Sequence, residues 1–260
     1  MRKSLLSLAV LSVLSVPALS FADEVTTPAV AEPASPHTIA YNVGLYSQYI
    51  FRGLTQTRED PALQGGVDYT HASGFYAGAW GSNISWLTDA DAYKSSSLEL
   101  DLYGGYANTI GDTGVGYNVG LLQYIYPGTK NAGVKNAETT EAYGSLSYGW
   151  VSAKVSAVLS DGAFGFTNAD GSTYSELNFT VPFGSGFSAV AHAGYQDFTG
   201  KGNSQFDYAD WKLGVTKSWD NGINLGAYYT DTDGKKSDFT DASGQNIAQS
   251  QFTVFVQKTF

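Results

Sequence analysis

The 260-residue chain has no cysteine, only 15% charged residues, and a shortage of positive charge: 14 Lys and Arg stand against 24 Asp and Glu, a net charge of -10. Without cysteine there is no disulfide staple, no thiolate nucleophile and no zinc–thiolate site. The acidic balance excludes the usual electrostatics of a nucleic-acid binder. Long apolar runs are missing as well. The stretch from Leu5 to Val16 covers 12 residues, whereas a membrane-spanning helix needs about 18–20. No segment carries a helical period. Three scattered histidines, His37, His71 and His192, imply no metal site, and no cofactor motif is present.

The short apolar run reads instead as the core of a signal peptide. Arg2 and Lys3 precede it, and Pro17 and the small-x-small triplet Ser20-Phe21-Ala22 follow, which places cleavage after Ala22. Residues 1–22 are then the leader, and loss of its two cations takes the net charge from -10 to -12. Residues 23–37, DEVTTPAVAEPASPH, are rich in Pro and Ala and lack an apolar period, as expected of a disordered periplasmic segment. Residues 38–260 remain for one folded domain.

What the chain has in quantity is aromatics and glycine: 18 Tyr, 14 Phe, 5 Trp and 30 Gly. These accompany period-2 alternation between turn signals. Twelve strands are predicted, at about 39–51, 62–71, 75–87, 97–107, 115–126, 140–148, 152–160, 174–183, 187–197, 208–218, 223–231 and 249–260. The connections alternate strictly in length. ASG, NTIGDTG, GWV, GSG and WDNG are short, and the six others span 9 to 17 residues. Tight periplasmic turns alternating with longer outer loops are the pattern of a transmembrane barrel.

The two faces of these strands differ in polarity. One collects Leu45, Leu98, Leu100, Leu102, Val119, Leu121, Leu177, Phe179, Leu213, Val215 and Leu225; the other collects Asp68, Glu99, Asp101, Glu141, Lys154, Glu176, His192, Asp210 and Lys212. A soluble barrel would turn its apolar face inward. The leader, the aromatics near strand ends (Tyr76, Trp86, Tyr148, Trp150, Trp219) and the last residue favour the opposite orientation, with lipid outside. In the closing QFTVFVQKTF, Phe252, Val254 and Val256 share one face and Phe260 ends the chain. A C-terminal aromatic on such a strand resembles the signal that the bacterial barrel-assembly machinery reads. The expected fold class is therefore all-β: an antiparallel transmembrane β-barrel of about twelve strands in the outer membrane of a Gram-negative bacterium, in contact with lipid and lipopolysaccharide.

Residues 49–86, YIFRGLTQTREDPALQGGVDYTHASGFYAGAWGSNISW, carry a more specific likeness. The Tyr49-Ile50-Phe51-Arg52-Gly53 start, Thr55-Gln56-Thr57, Gln64-Gly65-Gly66, His71-Ala72-Ser73-Gly74 and Trp80-Gly81-Ser82-Asn83 resemble the signature of the TorF porin family, bacterial proteins with no assigned substrate. The resemblance implies an outer-membrane barrel acting as a channel, and it supplies no functional residue.

The functional expectation is a monomeric channel for passive diffusion of small solutes. Arg52, Asp68, Glu99, Asp101, Glu141, Lys154, Glu176, His192, Asp210 and Lys212 are the candidate pore lining, and their acidic excess predicts weak cation preference. Small inward residues such as Ser145, Ser156, Gly194 and Gly226 favour open volume; inward Tyr46, Tyr103, Tyr124, Tyr126 and Tyr143 would constrict it. Two rival readings are a closed barrel serving as receptor, adhesin or structural anchor, and an outer-membrane lipid hydrolase built on His71 and Ser73. The i,i+2 pair falls at a periplasmic turn and lacks a visible third group, so no catalytic residue is assigned.

Overall fold

Alternating side chains leave each strand with one apolar and one polar face, and closing such strands into a cylinder satisfies every wall hydrogen bond without leaving an edge. The computed structural model describes residues 35–260; the leader assigned to 1–22 and most of the 23–37 segment lie outside the described residues. Twelve strands form the wall: β1 (His37–Tyr46), β2 (Ala62–His71), β3 (Phe75–Asn83), β4 (Leu98–Thr109), β5 (Gly116–Ile125), β6 (Thr139–Tyr148), β7 (Val151–Val158), β8 (Thr173–Gly184), β9 (Phe187–Asp197), β10 (Tyr208–Ser218), β11 (Ile223–Thr232) and β12 (Gln251–Thr259). Each pairs antiparallel with its chain neighbour. β1 closes on β12 in register from Asn42↔Thr259 to Tyr46↔Phe255. Phe260 prolongs this seam, its N–H donating to the Tyr41 carbonyl at 2.9 Å.

The outer face is apolar: Ile39, Tyr41, Val43 and Leu45 on β1, Leu98, Leu100 and Leu102 on β4, and Phe252, Val254 and Val256 on β12 are all exposed. The charges on this surface keep to strand ends, with Asp197 and Asp231 at the long-loop end and Lys217 and Lys258 at the short-turn end. There Lys217 and Lys258 lie over the rings of Trp219 and Phe260 at 5.2 Å each and donate to turn carbonyls, as snorkelling lysines do. Tyr148, Trp150 and Trp219 are exposed at the same end, in the place of an interfacial girdle.

Four features differ from the sequence reading. β1 ends at Tyr46, and residues 50–55 form a separate hairpin, Ile50–Phe51 paired with Leu54–Thr55. Tyr76 faces inward and donates to Asn118 at 2.7 Å, because its even position on β3 shares the lumen face with Gly78 and Trp80. Trp86 starts a single helical turn, α1 (Trp86–Asp89), in an outer loop and packs edge-on against Tyr126 at 5.5 Å. His37 belongs to the wall, as the first residue of β1.

At the other end the long loops fold onto the barrel mouth. One buried cluster joins Tyr49, Trp80, Ile84, Leu87, Tyr93, Leu122, Tyr124 and Tyr126; a second joins Val158, Ala163, Phe198, Tyr208 and Phe239. Burying aromatic rings between loops lowers their exposure to water and gives the loops a fixed conformation.

Candidate functional site

The 50–55 hairpin projects into the lumen. Its two central residues, Arg52 and Gly53, have φ of 47° and 81°, the backbone of a type I′ turn, which suits the twist of a two-residue hairpin. Gly53 is required twice over. Its φ is left-handed, and a Cβ there would stand 2.5 Å from Thr232 Cγ2 and 2.7 Å from Asp210 Cβ, so the turn sits directly against β10 and β11.

The hairpin delivers one guanidinium across the barrel. Arg52 Nη2 donates to both carboxylate oxygens of Glu141 on β6, each at 2.8 Å, and Nη1 donates to Gln196 Oε1 on β9 at 2.8 Å. The Arg52 side chain is 7% exposed and that of Glu141 1%. Tyr174, Phe51 and Phe164 surround the guanidinium carbon with ring centroids at 4.3, 4.8 and 5.6 Å. A permanently charged group is thereby held by an ion pair, an amide and three π-faces.

Beside the hairpin lies a small cavity of about 60 Å³, partly open to solvent. Register brings its charges together. Lys154 and Glu176 are cross-strand partners, 3.4 Å apart. His192 Nε2 lies 3.0 Å from Asp210 Oδ1, Tyr174 donates to Asp210 Oδ2 at 2.7 Å, and His192 Nδ1 lies 2.7 Å from Asn178 Oδ1. Gly194 makes room for this network: a Cβ there would fall 2.0 Å from the Tyr174 hydroxyl. Lys212 stands over the Tyr228 ring at 5.4 Å and lines the same cavity.

The remaining predicted pore residues lie apart from this cavity. Glu99 and Asp101 point inward from β4 but are 1% and 0% exposed, sealed behind the aromatic cluster. Tyr49 donates to Glu99 Oε1 at 2.8 Å, whereas neither oxygen of Asp101 has a hydrogen-bond partner among the described residues. Of the acidic pore lining expected from the sequence, these two are thus closed off from water. Asp68 accepts from the Tyr103 hydroxyl at 2.5 Å lower in the lumen. Inward Phe255, the one large apolar exception on the polar face of β12, stacks on Tyr46 at 4.9 Å. The hairpin itself escaped the sequence reading, although Arg52-Gly53 between Ile50-Phe51 and Leu54-Thr55 is a two-residue turn signal between short apolar pairs.

His71 and Ser73 do meet, with Nδ1 and Oγ 2.6 Å apart. They are exposed at the short-turn end, and among the described residues no carboxylate contacts the ring to complete a catalytic triad.

A closed twelve-stranded barrel with an apolar belt, a charged lumen and an inward loop defines the outer-membrane porin fold. The chain belongs to the family described as "Bacterial protein of unknown function (Gcw_chp)", whose model matches residues 30–260. Among solved structures it is similar to the NanC porin, with a TM-score of 0.52 and 10% identity over 85% of this chain and 99% of that one. It is also similar to the KdgM porin in complex with disordered oligogalacturonate, with a TM-score of 0.50 and 9% identity over 85% of this chain and 98% of that one. An outer-membrane channel from Pseudomonas putida F1 shares 14% identity over 91% of this chain and 100% of that one, with a TM-score of 0.49. No curated protein matches the chain by sequence.

Proposed function

We propose that the chain is a monomeric outer-membrane channel for passive diffusion of small solutes, exported by a cleaved leader and inserted by the barrel-assembly machinery through the Phe252, Val254, Val256 and Phe260 strand end. The observation that carries this reading is the partly solvent-open cavity among ion-paired groups inside a barrel whose outer face is apolar. Pore-class neighbours with the same fold support it, as does the resemblance of residues 49–86 to the TorF family. No catalytic role is assigned, because the one nucleophile-like pair lacks an orienting group.

The expected ion preference is weakly cationic. Six carboxylates face the lumen (Asp68, Glu99, Asp101, Glu141, Glu176, Asp210) against Arg52, Lys154 and Lys212. With Glu99 and Asp101 sealed from water, four acids remain against three bases, and the cavity itself is lined by Glu176 and Asp210 beside Arg52, Lys154 and Lys212, so the expected preference is slight. A closed barrel serving as receptor or anchor is the second reading, favoured by the aromatic rings that fill the lumen beside β3, β4 and β5.

Planar-bilayer recording of the folded protein separates the two. Discrete conductance steps are expected, with reversal potentials under a salt gradient showing cation preference that falls in a Glu176→Gln, Asp210→Asn variant. Insertion without conductance at any voltage would leave the anchor reading, and an anion-selective wild type would overturn the charge argument.

A further inference from the structure

His37 and His71 are 34 positions apart in sequence but direct cross-strand partners at the short-turn end of the β1–β2 pair. Both occupy the outward face, His37 in line with exposed Ile39 and Tyr41, and His71 in line with exposed Val67 and Tyr69. Their ring centroids are 5.2 Å apart with planes at 55°. Each ring has one nitrogen already engaged: His37 Nδ1 lies 2.7 Å from the Tyr69 hydroxyl, and His71 Nδ1 lies 2.6 Å from the Ser73 hydroxyl. That leaves Nε2 of each imidazole as the ring nitrogen uncommitted among the described residues.

We propose that His37 and His71 form a two-imidazole site for a divalent transition-metal ion of the Cu(II), Ni(II) or Zn(II) class, at the periplasmic rim and separate from the lumen. Three features carry it. Two imidazoles sharing one tetrahedral ion, at metal–nitrogen distances of about 2.0–2.1 Å, place their ring centroids about 5 Å apart, the spacing found here. The Nδ1 partners are hydroxyl oxygens, which can accept the N–H that a metal-bound imidazole donates from its other nitrogen, a contact that fixes the ring and raises the basicity of the ligating nitrogen. Metal at Nε2 places the ring proton on Nδ1, so Ser73 Oγ accepts from it in place of the Ser73 N–H contact to Nδ1, which now spans 3.1 Å.

The third feature is the rigidity of the frame. Ala72 N–H donates to the Pro36 carbonyl at 2.8 Å, carrying the ladder past the pair, and Gly74 N–H closes the turn on His71 O at 2.8 Å. The two Cα atoms are therefore fixed before an ion arrives, and only ring rotation must be restricted. Among the described residues no group of three or more His, Cys, Asp or Glu could hold a metal ion, so the protein supplies two ligands and water the rest. Imidazole donors and a two-nitrogen site place Cu(II) highest in affinity within this class.

The test is titration of the purified, folded barrel, without an affinity tag, with CuCl2 and ZnCl2 by calorimetry, together with the electron paramagnetic resonance of the Cu(II) form. One ion per chain is expected, with two imidazole nitrogens in the spectrum and Cu(II) tighter than Zn(II). A second tethered ligand raises affinity on the order of 10²-fold or more, so His37→Ala and His71→Ala should each lose about that factor and leave a one-nitrogen spectrum. Tyr69→Phe, which keeps both ligands and removes only the oxygen partner, should lose about tenfold while preserving the two-nitrogen signature. Binding that survives in both single-histidine variants, or a wild-type spectrum with one nitrogen, would overturn the proposal. Circular dichroism of the variants separates loss of the site from loss of the fold.

Discussion

Replacing Arg52 by alanine is expected to release the 50–55 hairpin from the lumen and raise conductance. The guanidinium makes three hydrogen bonds of 2.8 Å, two to Glu141 and one to Gln196, with side-chain exposures of 7% for Arg52 and 1% for Glu141. Solvent screening is therefore slight, and the rule for exposed pairs, that they contribute at most about 1 kcal/mol, does not apply. Removing one partner leaves Glu141 buried with only the Tyr124 hydroxyl at 3.3 Å, a loss of about 3–5 kcal/mol. At 1.4 kcal/mol per tenfold, the ratio of docked to released hairpin falls by roughly 10² to 4 × 10³. The assay pairs single-channel recording with hydrogen exchange at Leu54 and Thr55, whose amides should exchange faster as the hairpin leaves. A double variant, Arg52→Met with Glu141→Leu, removes both charges and replaces them with apolar groups of similar length. Because it leaves no orphaned charge, it should restore most of the protection lost in the single variant. Unchanged exchange and conductance in Arg52→Ala would refute the view that this ion pair holds the hairpin, and equal damage in the single and double variants would refute the desolvation argument.

Gly53→Ala should release the hairpin by a different route, since the new methyl meets Thr232 and Asp210 and the backbone is left-handed; faster exchange at the same amides, with the Arg52 ion pair chemically intact, checks it. Deletion of Phe260 should impair insertion far more than it lowers the stability of the assembled barrel. The ring is 68% exposed and contributes less than the roughly 1.5–3 kcal/mol of a fully buried phenylalanine, so yield of folded barrel and unfolding midpoint should separate. In the last outer loop, burial works to raise the Asp241 pKa, but hydrogen bonds from Ser243 and the backbone N–H groups of Ser243 and Gln245, with Arg58 nearby, hold it below the ordinary carboxylate range. A depressed folded-state pKa contributes stability that is present above the unfolded value and lost as pH falls through the folded one. Amide exchange at Ser243 and Gln245, corrected for the intrinsic rate, should therefore accelerate on acidification below the ordinary carboxylate range, and Asp241→Asn should remove the pH dependence.

The wall was legible because a strand's face is a local property. Side chains alternate with a period of two, so Leu98, Leu100 and Leu102 are set opposite Glu99, Asp101 and Tyr103 by chain geometry alone, and the β2, β9 and β10 limits at 62–71, 187–197 and 208–218 are those read from turn residues. The same local rule caused the overrun at 47–51. Tyr49 and Phe51 continue the alternation of β1, and nothing in the period tells a strand of the wall from a strand folded inside it. Trp86 and Tyr76 were misplaced for a related reason, since an aromatic near a strand end suits a lipid girdle, a loop cluster and a lumen network equally well by composition.

Which charges meet is decided over longer distances. Arg52 and Glu141 are 89 positions apart, His37 and His71 34, and their contacts depend on ring closure, shear and the path of a loop. The sequence by itself determined that this chain makes a two-faced cylinder with an apolar exterior and charges within. Only the tertiary structure decided that Glu99 and Asp101 are sealed behind rings, that Arg52 is held across the lumen, and that two distant histidines share one rim, because the pairing of side chains is set by register and packing, which no period of two contains.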